Sequence, residues 1–117
     1  MKKIRVILSP DAEKVFRYLN EQAPNSKNEA IILKAIKKKV ELIKDNFQYG
    51  DQIKKKLIPK EYIIKYGINN LFRVELPNYW RMLYTLKNGE SEVEIIAFVL
   101  DLIDHKNYDK KFGYKKK

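Results

Sequence analysis

The hydrophobic period of this chain changes once, and that change limits what it can fold into. After a short opening strand, apolar residues recur at helical spacing as far as Phe47, whereas from Asn69 onward the spacing is that of strands. Helical stripes and strand faces must bury each other. The expected fold class is therefore α+β, in the order β-α-α-β-β-β, with an antiparallel sheet packed against an N-terminal helical hairpin.

The local signals fill in this frame. Ile4 to Leu8 form a β-branched run, and Ser9-Pro10 suit an N-cap followed by proline at the first helical position. Ala12, Val15, Phe16, Leu19 and Ala23 then make the apolar face of a first helix from Pro10 to about Ala23. Pro24-Asn25 breaks it. Ser26-Lys27-Asn28-Glu29 has the form of a capping box, in which Ser26 and Glu29 satisfy each other's free backbone donors. The second helix is expected over Lys27 to about Phe47, with Ile32, Ile36, Val40 or Lys39, Ile43 and Phe47 buried and Lys34, Lys37, Lys38 and Lys44 outside. The connector from Gln52 to Gly67 is ambiguous, with two short helical turns between Pro59 and Tyr66 closed by Gly67.

Leu71 to Leu76, Tyr79 to Lys87 and Glu92 to Leu100 read as three strands, joined at Pro77-Asn78 and at Asn88-Gly89. With Pro77-Asn78 as a two-residue turn, Val74 faces Arg81 and Arg73 faces Met82, so the two arginines lie on opposite faces. One extra residue in the turn reverses that result. The unbroken apolar run Ile95 to Leu100 predicts a strand covered on both faces. After Asp104 one helical turn and a Lys-rich end from about residue 112 are expected.

A chain of 117 residues fits one domain, residues 1–117. Its 25 Lys plus Arg against 15 Asp plus Glu leave a formal charge of +10, which attracts phosphate-rich partners. All but four of these cations are lysines, so a genome- or habitat-driven lysine surplus is the plain alternative to such a partner. There is no cysteine and a single histidine, His105, which excludes thiolate chemistry and leaves little to ligate a metal. No cofactor is expected. The apolar stretch near the N-terminus is too short for a signal segment or a membrane span, so the expected location is the cytoplasm.

Four local features, in this order, carry a family resemblance. They are Ser9-Pro10-Asp11-Ala12 opening the first helix, Asn70-Leu71-Phe72-Arg73-Val74 on a strand, Tyr79-Trp80-Arg81-Met82-Leu83-Tyr84 on the next, and His105 with Tyr108 after the last. In these the chain resembles the RelE/ParE superfamily of toxins from type II toxin-antitoxin systems. The resemblance implies a ribosome-dependent mRNA endoribonuclease that inhibits translation, with ribosome and mRNA as targets and a small antitoxin as partner. It implies Arg81, His105 and Tyr108 as the catalytic set. Lys54, Lys55, Lys56, Arg73, Lys110 and Lys111 are the candidate RNA contacts. Cleavage by a 2′-hydroxyl needs a base, a cation for the developing phosphorane charge and an acid for the leaving oxygen, and these residue types can supply them.

Plainer roles exist for the same residues. Arg81 can pair with Glu75 or Glu94 across the sheet, His105 can cap a helix or lie on the surface, Tyr108 can pack the tail, and Lys54 to Lys56 can be a solvated run. Two other functions remain open: a ParE-like toxin that binds gyrase, and a non-catalytic RNA- or ribosome-binding module using Lys37, Lys38, Lys55 and the tail lysines. The connector and the Lys-rich tail are both longer than the family pattern.

Overall fold

A computed structural model describes residues 3–89 and 94–113 of the chain. The first strand, β1 (Lys3–Leu8), leads through Ser9 into α1 (Pro10–Gln22). One tight turn, Ala23–Asn25, separates it from α2 (Lys27–Asp45). A two-residue strand, β2 (Asp51–Gln52), precedes a single helical turn at Lys55–Leu57 and α3 (Lys60–Tyr66). Then come β3 (Phe72–Glu75), β4 (Arg81–Asn88), β5 (Glu94–Ile103) and α4 (His105–Phe112). The Lys-rich end and the residues turning from β4 to β5 lie outside the described residues, as does the expected strand start at Glu92.

The class is α+β as expected, but the sheet is mixed. Its five strands run in the order β1-β5-β4-β3-β2, and β1 pairs with β5 in parallel, so the expectation of an antiparallel sheet is corrected. The reason lies in the connection: the chain leaves β1 through helices and not through a tight turn, and a crossover of that length allows parallel pairing. Ser9 then secures the junction. Its amide donates to the Val99 carbonyl at 2.8 Å and its hydroxyl to the Leu100 carbonyl at 2.7 Å. The hydroxyl also accepts from the Ala12 amide at 3.0 Å, the N-cap contact that the Ser9-Pro10 pair predicts. The Leu100 carbonyl is open to this bond because β5 bulges there: Leu83 pairs with Asp101 and Tyr84 with Val99.

The sheet buries both faces. Phe72, Val74, Met82, Tyr84, Ala97 and Val99 meet α1 and α2 through Leu19, Ile32, Ile36 and Ile43. On the other face Leu83, Leu100 and Ile103 pack with Ile58, Tyr62, Ile68 and Tyr108. β5 is covered on both sides, as its unbroken apolar run predicts, but the cover of the second face by α3 and α4 goes beyond the expected hairpin. The tail helix runs for eight residues in place of one turn. Gly67 does end α3 in the left-handed region, at φ 63°.

Two local expectations need correction. Ser26 caps no backbone donor; its hydroxyl binds the Glu29 carboxylate directly, so the box closes between side chains. The β3–β4 connection takes three residues, Pro77–Tyr79, with the Leu76 amide donating to the Trp80 carbonyl at 2.9 Å. Asn78 and Tyr79 both have positive φ, 59° and 64°. For a bulky residue such as tyrosine this backbone is strained by about 1–3 kcal/mol.

Ser9→Ala removes both hydroxyl contacts from a fully buried position and should lower stability by about 2 kcal/mol. A urea midpoint that falls at unchanged m-value would show this; an unmoved midpoint would mean the junction is held without the hydroxyl.

Candidate functional site

The extra residue in the β3–β4 turn decides the chemistry of the second face. It pairs Glu75 with Arg81 and Arg73 with Leu83, so Arg73, Glu75 and Arg81 all project to the side opposite α1 and α2. The two-residue turn that would have parted the arginines is not formed. Glu75 lies between them: its Oε2 is 3.1 Å from Arg81 Nε and its Oε1 is 3.4 Å from Arg73 Nε. Neither approach has the direction of a hydrogen bond at the buried Nε atoms, so these are charge contacts first.

Tyr108 joins the pair from α4. Its hydroxyl accepts from Arg73 Nη1 at 3.1 Å, and the Arg81 guanidinium carbon lies 5.1 Å from its ring centre. The helix that carries it is capped by Asp104, whose carboxylate accepts from the Asn107 amide at 2.9 Å. Phe112, one turn on, stacks on the Tyr108 ring with centres 4.4 Å apart. Tyr108 is 2% exposed, so its ring meets protein on its faces and its role here is to hold the two arginines. The hydrogen bond from Tyr108 raises the Arg73 pKa, against a smaller opposing effect of burial.

Arg81 is more committed than Arg73. Besides Glu75, its Nη1 donates to the Tyr79 carbonyl at 2.5 Å and approaches the Trp80 carbonyl at 3.4 Å. Its side chain is 13% exposed, against 32% for Arg73. The pairing with Glu75 that the sequence offered as the plainer role is therefore formed; Glu94 instead lies near Arg5, at 3.6 Å. Trp80 is half-buried against the core.

His105 opens α4 on the surface, its Nε2 3.2 Å from the Asp109 carboxylate. Its ring is 5.6 Å from the Tyr79 ring, and the Tyr79 backbone carbonyl accepts from Arg81, so Tyr79 stands between the histidine and Arg81.

Gly50 brings the far edge of the site into place. A Cβ there would meet the Arg73 carbonyl and the Tyr84 ring, each at 3.0 Å, so a side chain would push β2 off the sheet. The Gly50 amide donates to the Tyr84 hydroxyl at 3.0 Å, and Asp51, next in the chain, pairs across the strands with Arg73. Beyond it a cavity of about 230 Å³ is lined by Lys54, Leu57, Arg73, Tyr108 and Phe112 among others. Lys55 and Lys56 are exposed on the following turn, outside that lining.

Of the two lysines expected in the tail, Lys110 is exposed, but Lys111 is built into the fold. Its ammonium is 2.8 Å from Asp101, 3.3 Å from Glu61 and 4.8 Å from the Tyr62 ring centre. Lys111, expected as an RNA contact, thus has its ammonium held by two carboxylates of the fold. The Tyr62 hydroxyl donates to the same buried Asp101 carboxylate at 2.5 Å. Burial lowers the Lys111 pKa, but the bonds to Asp101 and Glu61 outweigh it and the net shift is upward. Burial, then Asp101, raises the Tyr62 pKa far above its ordinary value. Asp101 interrupts an apolar run, which is the signal that could have marked it. Among the described residues no group of His, Asp and Glu side chains is placed to hold a metal ion, and no helix is long and apolar enough to cross a membrane.

Comparison with protein-family models, with curated proteins and with solved structures finds no match to this chain.

Two outcomes test these electrostatics. Glu75→Gln keeps size and removes the carboxylate charge, so tripolyphosphate should bind about five-fold more tightly at fixed salt; unchanged affinity would place the anion elsewhere. Lys111 and Tyr62 both have raised folded pKa values, so their contribution is complete below the unfolded values of roughly 10 and is lost as pH rises above them. The melting midpoint should fall above about pH 10, and less steeply in Asp101→Asn.

Proposed function

We propose that this protein is a RelE-like toxin that cuts mRNA on the ribosome without a metal. The observation that carries the reading is the convergence of Arg73 and Arg81 on one sheet face, with Tyr108 against both and His105 next along through Tyr79. A basic chain would be drawn to ribosomal RNA, and the paired guanidinium groups would receive the charge that develops on phosphorus. His105 is the imidazole in the chain, and Asp109 orients its Nε2. In this reading His105 moves the proton as the 2′-oxygen attacks and the 5′-oxygen leaves. Tyr108, hydrogen-bonded and buried, positions the arginines and takes no part in proton transfer.

A partner that neutralises such a toxin would, in this reading, dock along β1. β1 is an edge strand, and beside it Val6, Leu8, Phe16, Ile36 and Val40 line an apolar groove of about 360 Å³. Lys37 lines the groove beside Glu41 and would meet an acidic group of such a segment.

One observation favours a second reading, a non-catalytic RNA-binding module on the same fold. Arg81 spends its Nε and Nη1 edges on Glu75 and on the turn, as a structural arginine would.

Primer extension on mRNA translated in a reconstituted system separates the two. Discrete cuts in the ribosomal A site should fall roughly 100-fold in His105→Ala and at least as far in Arg81→Ala, with each variant shown to fold. An intact message with the wild-type protein bound to ribosomes would remove the nuclease reading and leave the binding module.

A further inference from the structure

Tyr79 is the most exposed aromatic side chain among the described residues, at 71%. Its backbone lies at φ 64°, where a bulky side chain is strained and asparagine or glycine is at ease. The fold needs that backbone, since it forms the three-residue turn, but it does not need a ring there.

The backbone that carries the ring is anchored. The Tyr79 carbonyl accepts from Arg81 Nη1 at 2.5 Å, and the preceding Asn78 side-chain amide donates to Asn28 at the start of α2. One edge of the ring borders His105, with planes 51° apart, so the imidazole does not cover it. An open aromatic face thus stands on a turn whose backbone is tied to Arg81. Tyr108, which the resemblance places in the catalytic set, is buried and cannot stack on a base.

We propose that Tyr79 is a stacking platform for an unpaired nucleobase of a single RNA strand whose backbone phosphate lies on Arg73 and Arg81. The inference rests on reading this face as an RNA site, and it adds the residue that receives the base. Stacking of this kind tolerates any base, because every base offers a π-face. The strain at residue 79 is then retained for binding, as strained backbone at functional sites often is.

The test uses the full chain, a short adenine oligoribonucleotide, and an abasic ribose-phosphate strand of equal length. Tyr79→Asn keeps the left-handed backbone and removes the ring. It should weaken adenine-strand binding roughly ten-fold and leave abasic binding unchanged. Tyr79→Phe should bind both strands as wild type does. Tyr79→Gly should lose the same affinity while its melting midpoint rises by a few degrees, as the backbone strain is relieved. Equal weakening of both strands by Tyr79→Asn would overturn the inference, as would full binding without the ring or a lower midpoint for Tyr79→Gly. If wild type prefers the adenine strand yet messages stay intact on the ribosome, the platform stands and the nuclease reading falls. If wild type binds neither strand, the RNA site itself is wrong and the platform falls with it.

Discussion

Glu75 stands opposite Arg81 because the chain takes three residues to turn between β3 and β4, and the second face of the sheet follows from that register. A side chain on a strand has two faces to choose from, so a slip of one residue would send Arg73 or Arg81 into the apolar layer against α1 and α2. With the register as it is, Val74 and Met82 fill that layer and both guanidinium groups emerge together. The cost is carried at Asn78 and Tyr79, whose positive φ values let the short turn close.

Two like charges brought so close need a counter-ion, and Glu75 provides it, with Asp51 3.9 Å from Arg73 on the far side. Tyr108 completes the arrangement from α4, and α4 is itself held down by Lys111 on Asp101 and Glu61. The tail helix is therefore part of the site's support. The same sheet face passes from sealed core at Leu83, Leu100 and Ile103 to a charged margin at Arg73 and Glu75. A ligand phosphate arriving there would replace carboxylates and not water alone, which favours strongly anionic ligands over weak ones.

The fold by itself carries no activity. What a ligand would meet depends on which side chains share a face, how buried each is, and which groups already occupy it. In the proposed reading Arg73, Arg81, His105 and Tyr79 would face the ligand; Tyr108 lies buried beneath, and Lys111 is held by carboxylates. Lys54 borders the adjoining cavity, while Lys55, Lys56 and Lys110 contribute to the surrounding positive field.

Sequence alone determined what local physics governs. The apolar period placed α1 and α2, the Ser9-Pro10 pair marked the start of α1, Gly67 marked the end of α3, and the unbroken apolar run marked β5 as covered on both faces. These features depend on side-chain spacing and backbone preference within a few residues. The tertiary structure decided the rest. Parallel pairing of β1 with β5, like the bond from Ser9 to Leu100, joins residues 91 positions apart. The role of Lys111 depends on a carboxylate in another strand, and the loss of Tyr108 as an open ring depends on how α4 docks. Above all, whether Arg73 and Arg81 share a site turned on one residue of turn length, which Pro77-Asn78 signalled as a turn but could not count. Turn residues announce a reversal locally, whereas register is chosen by the packing of both faces at once.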